Sequence, residues 1–328
     1  MWTKILTMAG LLACACLSAH ARDDAYPARS IELIIPVGAG GATDVTSRMI
    51  AKAMSKQLKT PIVPVNRTGA GGMVGVAYLA QQAPDGYRIG ILLTSATELA
   101  PYVGKVPFQL DDLKFIASVA SFRFGLIVAA NSPLKTTADL VEASKKGEGS
   151  FFGASSISPG LGIVRLGKLT GAKFELINYK SGLETVTELI GGRVQSAISQ
   201  PSDVIAHVKA GSLRLLASPG SARWPEFPEV PTLTEQGYDV KLQSEIALVA
   251  PAKTPAPIIE KLQKAAFAAM DDPEVKAQLA RLGMDPIKRT GNDARNMVYA
   301  NFKANGPEMK ALNKDWVPES CFVDCKAN

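Results

Sequence analysis

At 328 residues the chain is long enough for about two domains with cores of their own. With 47% hydrophobic and 20% charged residues it is neither a disordered chain nor a multi-span membrane protein. Two histidines and four cysteines leave little room for a histidine-rich metal centre or histidine acid–base chemistry. The net charge of +6 is dispersed, without a basic stripe or interleaved aromatics, which argues against nucleic acid.

Met1 to Lys4 is a short basic lead, and Ile5 to Leu17 is an almost unbroken apolar run of 13 residues. Such a run is too short for a hydrocarbon core of about 30 Å. Ser18-Ala19-His20-Ala21 then offers a small-residue cleavage site, so residues 1–21 are expected to be a secretory signal peptide. Leu11-Leu12-Ala13-Cys14 also comes close to a lipidation box, which Leu12 fits poorly. Cleavage after Ala21 leaves an exported chain with one histidine, His207, and two cysteines, Cys321 and Cys325. In an oxidising compartment these two are expected to form a bridge, free thiols being the alternative.

The mature sequence alternates strand, loop and helix. Ile31–Ile35 predicts a strand, Gly38–Gly41 a loop and Val45–Leu58 a helix. Strand Ile62–Val65, loop Gly69–Gly72, helix Val74–Gln82, turn Pro84–Gly86 and strand Tyr87–Leu93 follow. Gly125–Ala130 and Phe151–Gly153 read as extended, and Ala154–Gly160 as a loop before a helix over Leu161–Leu169. The alternation continues through Phe174–Tyr179, Leu183–Ile190, Val194–Ser199, Val204–Ala210 and Leu213–Ala217. A proline-rich stretch, Trp224–Tyr238, is expected to run irregularly over the surface. Strand Ile246–Ala250 precedes helices over Pro257–Met270, Pro273–Leu282 and Asp293–Leu312. This series predicts an α/β protein with a mostly parallel sheet.

Two glycine-rich loops carry the chemistry. In Gly38-Ala39-Gly40-Gly41-Ala42-Thr43-Asp44 the glycines let backbone N–H groups turn inward, and the helix start adds positive potential. That suits an anion such as a carboxylate; a tight turn capped by Thr43 or Asp44 reads equally well from spacing alone. Asn66-Arg67-Thr68-Gly69-Ala70-Gly71-Gly72 repeats the design, and two such loops at successive parallel strand ends share one crevice. Ala154–Gly160 and Lys180-Ser181-Gly182 add hydroxyls and N–H groups from the second half. Neither a nucleotide-binding pattern nor a G-x-S-x-G elbow is present, and His207 beside Lys209 reads as a surface residue. A nucleophile–base pair for an enzyme acting on carboxylates cannot be assembled.

At these loops the sequence resembles the periplasmic solute-binding proteins of tripartite tricarboxylate transporters, the Bug family. The matching stretches include Gly40–Asp44, Asn66–Gly72, Ala83–Tyr87, Tyr179–Gly182, Gly191–Val194, Lys209–Arg214, Pro228–Thr232 and Ala250–Pro255, in family order. The resemblance implies a type II, Venus-flytrap binding protein with two crossing strands near Arg123–Val128 and Ser244–Val249. Domain one is then residues 22–124 plus 247–328, and domain two 125–246. It also implies a small carboxylate ligand, held by Gly40, Gly41, Ala42, Thr43, Asp44, Gly69, Ala70, Gly71, Thr94 and Ser95 from the first domain. Ser155, Ser156, Ser158, Tyr179, Ser199 and Asp203 are implied from the second. No cofactor and no enzymatic activity are implied. The ligand is delivered by a monomer to membrane subunits of the transporter, or presented to a sensory partner.

The chain departs from relatives in carrying Gln195 and Ser199 where aspartates are usual, and Glu245 where tryptophan is common. An unpaired buried carboxylate is costly, so Glu245 is expected to pair with Arg123 across the hinge. The competing expectation is that Glu245 lines the cleft and selects a ligand carrying an amine.

Overall fold

The computed structural model describes residues 26–103, 106–146, 151–155, 157–179 and 181–309. The leader, the lipidation alternative, Ser156, Lys180, Cys321 and Cys325 lie outside the described residues.

Two sheets form. The elements of the first are β1 (Ile31–Ile35), α1 (Ala42–Leu58), β2 (Ile62–Asn66), α2 (Met73–Ala80), β3 (Arg88–Leu93), α3 (Thr94–Val103) and β4 (Leu113–Phe122). The second contains β5 (Gly125–Ala129), α4 (Thr137–Lys145), β6 (Phe151–Ala154), α5 (Ile157–Thr170) and β7 (Glu175–Asn178). It continues with α6 (Gly182–Ile190), β8 (Ser196–Ser199), α7 (Pro201–Lys209) and β9 (Leu213–Ala217). The chain then returns to the first sheet with β10 (Glu245–Pro251), α8 (Ala256–Ala269), α9 (Pro273–Arg281), β11 (Met284–Thr290) and α10 (Gly291–Met309). Strand order is β11-β4-β10-β3-β1-β2 in one sheet and β7-β6-β8-β5-β9 in the other.

Alternation along each strand feeds two cores per sheet. Leu33 and Ile35 of β1 pack on one face with Ile50 and Met54 of α1, while Ile34 points to the other with Val76 and Leu79 of α2. In the second sheet Leu126 and Val128 face Leu140 and Ile163, and Ile127 faces Val186, Val204 and Trp224. Each unit is therefore a sheet between two helical layers.

Three sequence expectations change here. The sheets are mixed rather than mostly parallel: β2-β1-β3 and β7-β6-β8 are parallel. β10, β4 and β11 in one sheet, and β5 with its neighbours in the other, run antiparallel. β5 and β10, the first strands after the chain changes sheets, run opposite to their neighbours, and β11 runs opposite to β4 at the edge. The second change is the stretch Trp224–Tyr238. It is irregular, but Trp224 is 0% exposed, and its indole N–H donates to the Phe124 carbonyl over 3.0 Å. The third is that α5 begins at Ile157, so Ser158 lies in a helix and not in the loop before Leu161.

The chain passes from the first sheet to the second over Arg123 and Phe124, and returns just before Glu245. Glu245 pairs with Ser121 in the β10–β4 ladder, so Arg123 lies past the end of the ladder. The expected Arg123–Glu245 pair does not form. Arg123 grips Glu226 through both terminal nitrogens, at 2.6 and 3.2 Å, with Asp285 3.7 Å from its Nε. Arg289, on the far side of β4, reaches Glu245 with Nη2–Oε1 at 2.9 Å and Nε–Oε2 at 3.1 Å, and Gln243 Nε2 donates to the same carboxylate at 2.8 Å. Glu245 is 1% exposed and its charge is met from within the protein, so it is not an open carboxylate waiting for an amine.

Candidate functional site

Parallel strands bring their C-terminal ends to one edge, where open α/β sheets bind ligands. In the order β2-β1-β3 this edge carries the loops Asn66–Gly72, Pro36–Gly41 and Thr94–Ser95 side by side. In the order β7-β6-β8 it carries Tyr179, Ser181, Ser155 and Gln200–Asp203. Among the described residues, all the predicted contact positions except Glu245 therefore fall on, or one turn beyond, these six strand ends.

In the first unit Gly41 is the N-cap of α1, extended at φ −74° and ψ 166°, and no side chain caps the helix. Its first-turn amides are left for another acceptor. Asp44, 2% exposed, does not take that place: its carboxylate accepts from the Gly40 N–H (3.0 Å), Arg48 Nε (3.0 Å) and Asn66 Nδ2 (2.8 Å). Asn66 also donates to the Val37 carbonyl and accepts from Arg48. The cluster thus ties the loop after β1 to the loop after β2. Burial pushes the Asp44 carboxyl up, but the hydrogen bonds from Arg48, Gly40 and Asn66 and the Arg48 charge outweigh it and hold it at about 2. Spacing carried part of this signal, since Asp44 and Arg48 stand at i,i+4.

The second loop has four successive residues with positive φ: Gly69 (132°), Ala70 (46°), Gly71 (63°) and Gly72 (99°). The run closes a tight turn, the Gly72 N–H donating to the Gly69 carbonyl at 2.9 Å, and glycine turns of this kind can offer their remaining N–H groups to an anion. Behind it Gly75 of α2 lies so close that a Cβ there would sit 2.5 Å from the Arg67 carbonyl. The Arg67 guanidinium stacks 3.7 Å over the Tyr78 ring.

Thr94 and Ser95 bond to the segment that returns from the second unit. Thr94 is 0% exposed and accepts from the Glu245 N–H at 2.9 Å, while Ser95 Oγ lies 2.8 Å from Ser244 Oγ. Both tie β3 to the returning segment. In the second unit Ser155 and Ser158 are half-buried, and Tyr179 extends β7 through its N–H to the Ala154 carbonyl at 2.8 Å. Ser199 is buried, and its Oγ has no hydrogen-bond partner among the described residues. Asp203 lies third in α7 with its Oδ2 against the start of α6. His207 shares a 3.1 Å hydrogen bond with Ser212. Among the described residues no cluster of three or more His, Cys, Asp or Glu could hold a metal, and no helix is long and apolar enough to cross a membrane.

Glu98 was not foreseen. It is 3% exposed on α3, accepts from Asn301 Nδ2 at 3.1 Å, and sits near Glu245 and Arg165. Burial, helped by the Glu245 charge, pushes its carboxyl to about 7 against the Asn301 hydrogen bond and the Arg165 charge. A raised carboxyl stabilises the fold below its unfolded value of 4.5, and this contribution is lost as pH rises through about 7. Glu98→Gln, which keeps the acceptor for Asn301, should therefore raise stability at pH 8 by on the order of 2 kcal/mol. It should also flatten the decline between pH 4.5 and 7, as read by urea melts across that range. A variant no more stable than wild type at pH 8 would contradict this.

Two mixed α/β units joined by two crossing segments, together with the family and fold matches that follow, identify a solute-binding receptor of the periplasmic binding-protein class, not an enzyme. The chain belongs to the family described as "Tripartite tricarboxylate transporter family receptor", which it matches over residues 46–314. It is 35% identical over 297 residues to a Cupriavidus necator protein described as "UPF0065 protein in gbd 5'region", covering 89% of each chain. Among solved structures it resembles a TctC solute-binding protein from Polaromonas, with a TM-score of 0.79, 26% identity, and coverage of 88% of this chain and 100% of that one. An R. palustris protein solved with adipate gives a TM-score of 0.73 at 25% identity, over 87% and 97% of the two chains.

Proposed function

We propose that this receptor is exported by its first 21 residues and captures a small carboxylate between its two units for the membrane subunits of a tripartite tricarboxylate transporter. The unit boundaries proposed from the resemblance, 22–124 plus 247–328 and 125–246, are supported by the two sheets, with β10 joining the first sheet two residues earlier, at Glu245. The observation that carries the reading is the uncapped N-terminus of α1 beside the left-handed run Gly69–Gly72, on adjoining parallel strand ends. Both features present N–H groups to an anion without a formal counter-charge. The adipate bound by the R. palustris relative supports the ligand class.

In this reading Gly40–Thr43 and Gly69–Gly71 seat one carboxylate, while Ser155, Ser158, Tyr179, Ser199 and Asp203 meet the remainder of the ligand from the second unit. Asp44, Thr94, Ser95 and Glu245 act by holding the loops and the returning strand in place. The test is a thermal-shift panel of mono-, di- and tricarboxylates, aromatic acids and amino acids on protein refolded from denaturant. A true ligand at 100 times its dissociation constant should stabilise by about 2.7 kcal/mol. A shift from a sugar or a cation, with none from any carboxylate, would overturn the proposal.

A further inference from the structure

With Glu245 satisfied by Arg289, Asp203 is left as a carboxylate on the second unit's rim with no ion pair among the described residues. It follows β8, whose C-terminal end lies beside that of β6. Pro201, the first residue of α7, meets Gly283 of the first unit so closely that a Cβ on Gly283 would fall 2.3 Å from the proline Cβ. The start of α7 therefore faces the first unit. Asp203 Oδ2 also lies where only a glycine admits it, 2.1 Å from the position of a Cβ on Gly182 at the start of α6. Burial pushes its carboxyl up, against the lowering effect of the neighbouring Ser202 hydroxyl. Four residues earlier, at the end of β8, Ser199 Oγ is buried without a hydrogen-bond partner among the described residues.

We propose that Asp203 is a specificity-determining residue that receives an ammonium group of the ligand, so that this receptor prefers a carboxylate that also carries an amine. Desolvation makes an unpaired carboxylate unfavourable, and an ammonium placed beside it restores the lost interaction. A second carboxylate at the same place would instead meet like charge and be rejected. The buried Ser199 hydroxyl supplies a further polar partner on that side. The inference rests on the carboxylate reading above, and assigns the ligand's second functional group.

Calorimetric titration of refolded protein with matched compounds tests it: succinate, L-aspartate and N-acetyl-L-aspartate, then glutarate, L-glutamate and N-acetyl-L-glutamate. The wild-type protein should bind the amino acid of each set at least about tenfold more tightly than its two uncharged-nitrogen or nitrogen-free counterparts. Asp203→Asn should bring that ratio close to one. Equal or tighter binding of the unsubstituted dicarboxylate by the wild type overturns the inference, as does a ratio that Asp203→Asn leaves unchanged. The N-acetyl comparison needs only the wild-type chain, so it decides the matter even where the variant folds badly. Failure of every compound in both sets, together with a carboxylate panel that gives no shift, sinks the carboxylate reading itself. Binding of plain dicarboxylates alone sinks only the role of Asp203.

Discussion

Trp224→Ala should lower unfolding free energy by about 3–5 kcal/mol, on the scale of large-to-small changes in a closed core. The indole is 0% exposed and packs with Ile127, Val186, Val204 and Leu215. It also lies so near Gly125 that a Cβ there would be 2.8 Å from the ring. Truncation leaves a cavity and also orphans the Phe124 carbonyl, which accepts the indole N–H in the segment where the chain leaves the first sheet. Trp224→Phe separates the two effects. It restores most of the apolar volume and loses the hydrogen bond, so its cost should be nearer 1–2 kcal/mol. Differential scanning calorimetry of the three proteins reads both numbers, and an alanine variant within 1 kcal/mol of wild type would contradict the packing described.

Asp44→Ala should cost about 2–3 kcal/mol and, with it, ligand affinity by at least about tenfold. Removing the carboxylate unties Gly40, Asn66 and Arg48 together, so the loop after β1 is no longer held to the loop after β2. The cost stays below that of a fully buried pair, because the Arg48 side chain is 43% exposed and water can solvate it. Part of the stability is pH-dependent with a defined sign. A carboxyl lowered from 3.8 to about 2 contributes stability that is present above 3.8 and lost as pH falls through about 2. Acid unfolding of the variant should therefore lack that component. Asp44→Asn keeps an acceptor for Gly40 but turns an amide toward the donors of Asn66 and Arg48, and should fall between. Wild-type affinity in the alanine variant would show that the loops are held by something else.

Much of the first unit could be read from its residues, because β1, β2 and β3 are compact apolar runs closed by glycine or proline loops. β4 escaped that reading. Its apolar residues alternate with alanine and serine, Ala117, Ser118, Ala120 and Ser121, so neither a clean two-residue period nor a continuous bulky run marks it. β11 escaped as well: Pro286, Lys288 and Arg289 suit an edge strand and resemble a loop in sequence. The mixed direction of the sheets depends on β10 inserting between β3 and β4 after an excursion of more than a hundred residues, a tertiary event that no local period reports.

The site was legible in the same uneven way. Glycines that must adopt positive φ advertise themselves, and Asp44 with Arg48 obeys helical spacing. Partner choice across a sheet does not. Whether Glu245 meets Arg123 or Arg289 is settled by a register that ends the β10–β4 ladder at Ser121 and brings Arg289 opposite Ser118. That register pairs Glu245 with Arg289, so the amine-binding role that was the competing expectation for Glu245 is the one we propose for Asp203 instead.

The most direct test of capture between two units is small-angle X-ray scattering on the refolded protein, without ligand and with the carboxylate that gives the largest thermal shift. One equivalent should reduce the radius of gyration, with a midpoint matching the calorimetric affinity, as the rim of Gly40–Asp44 and Gly69–Gly72 approaches that of Ser155, Tyr179 and Asp203. Saturable binding with an unchanged scattering profile would contradict closure over the ligand and place the carboxylate elsewhere on the protein.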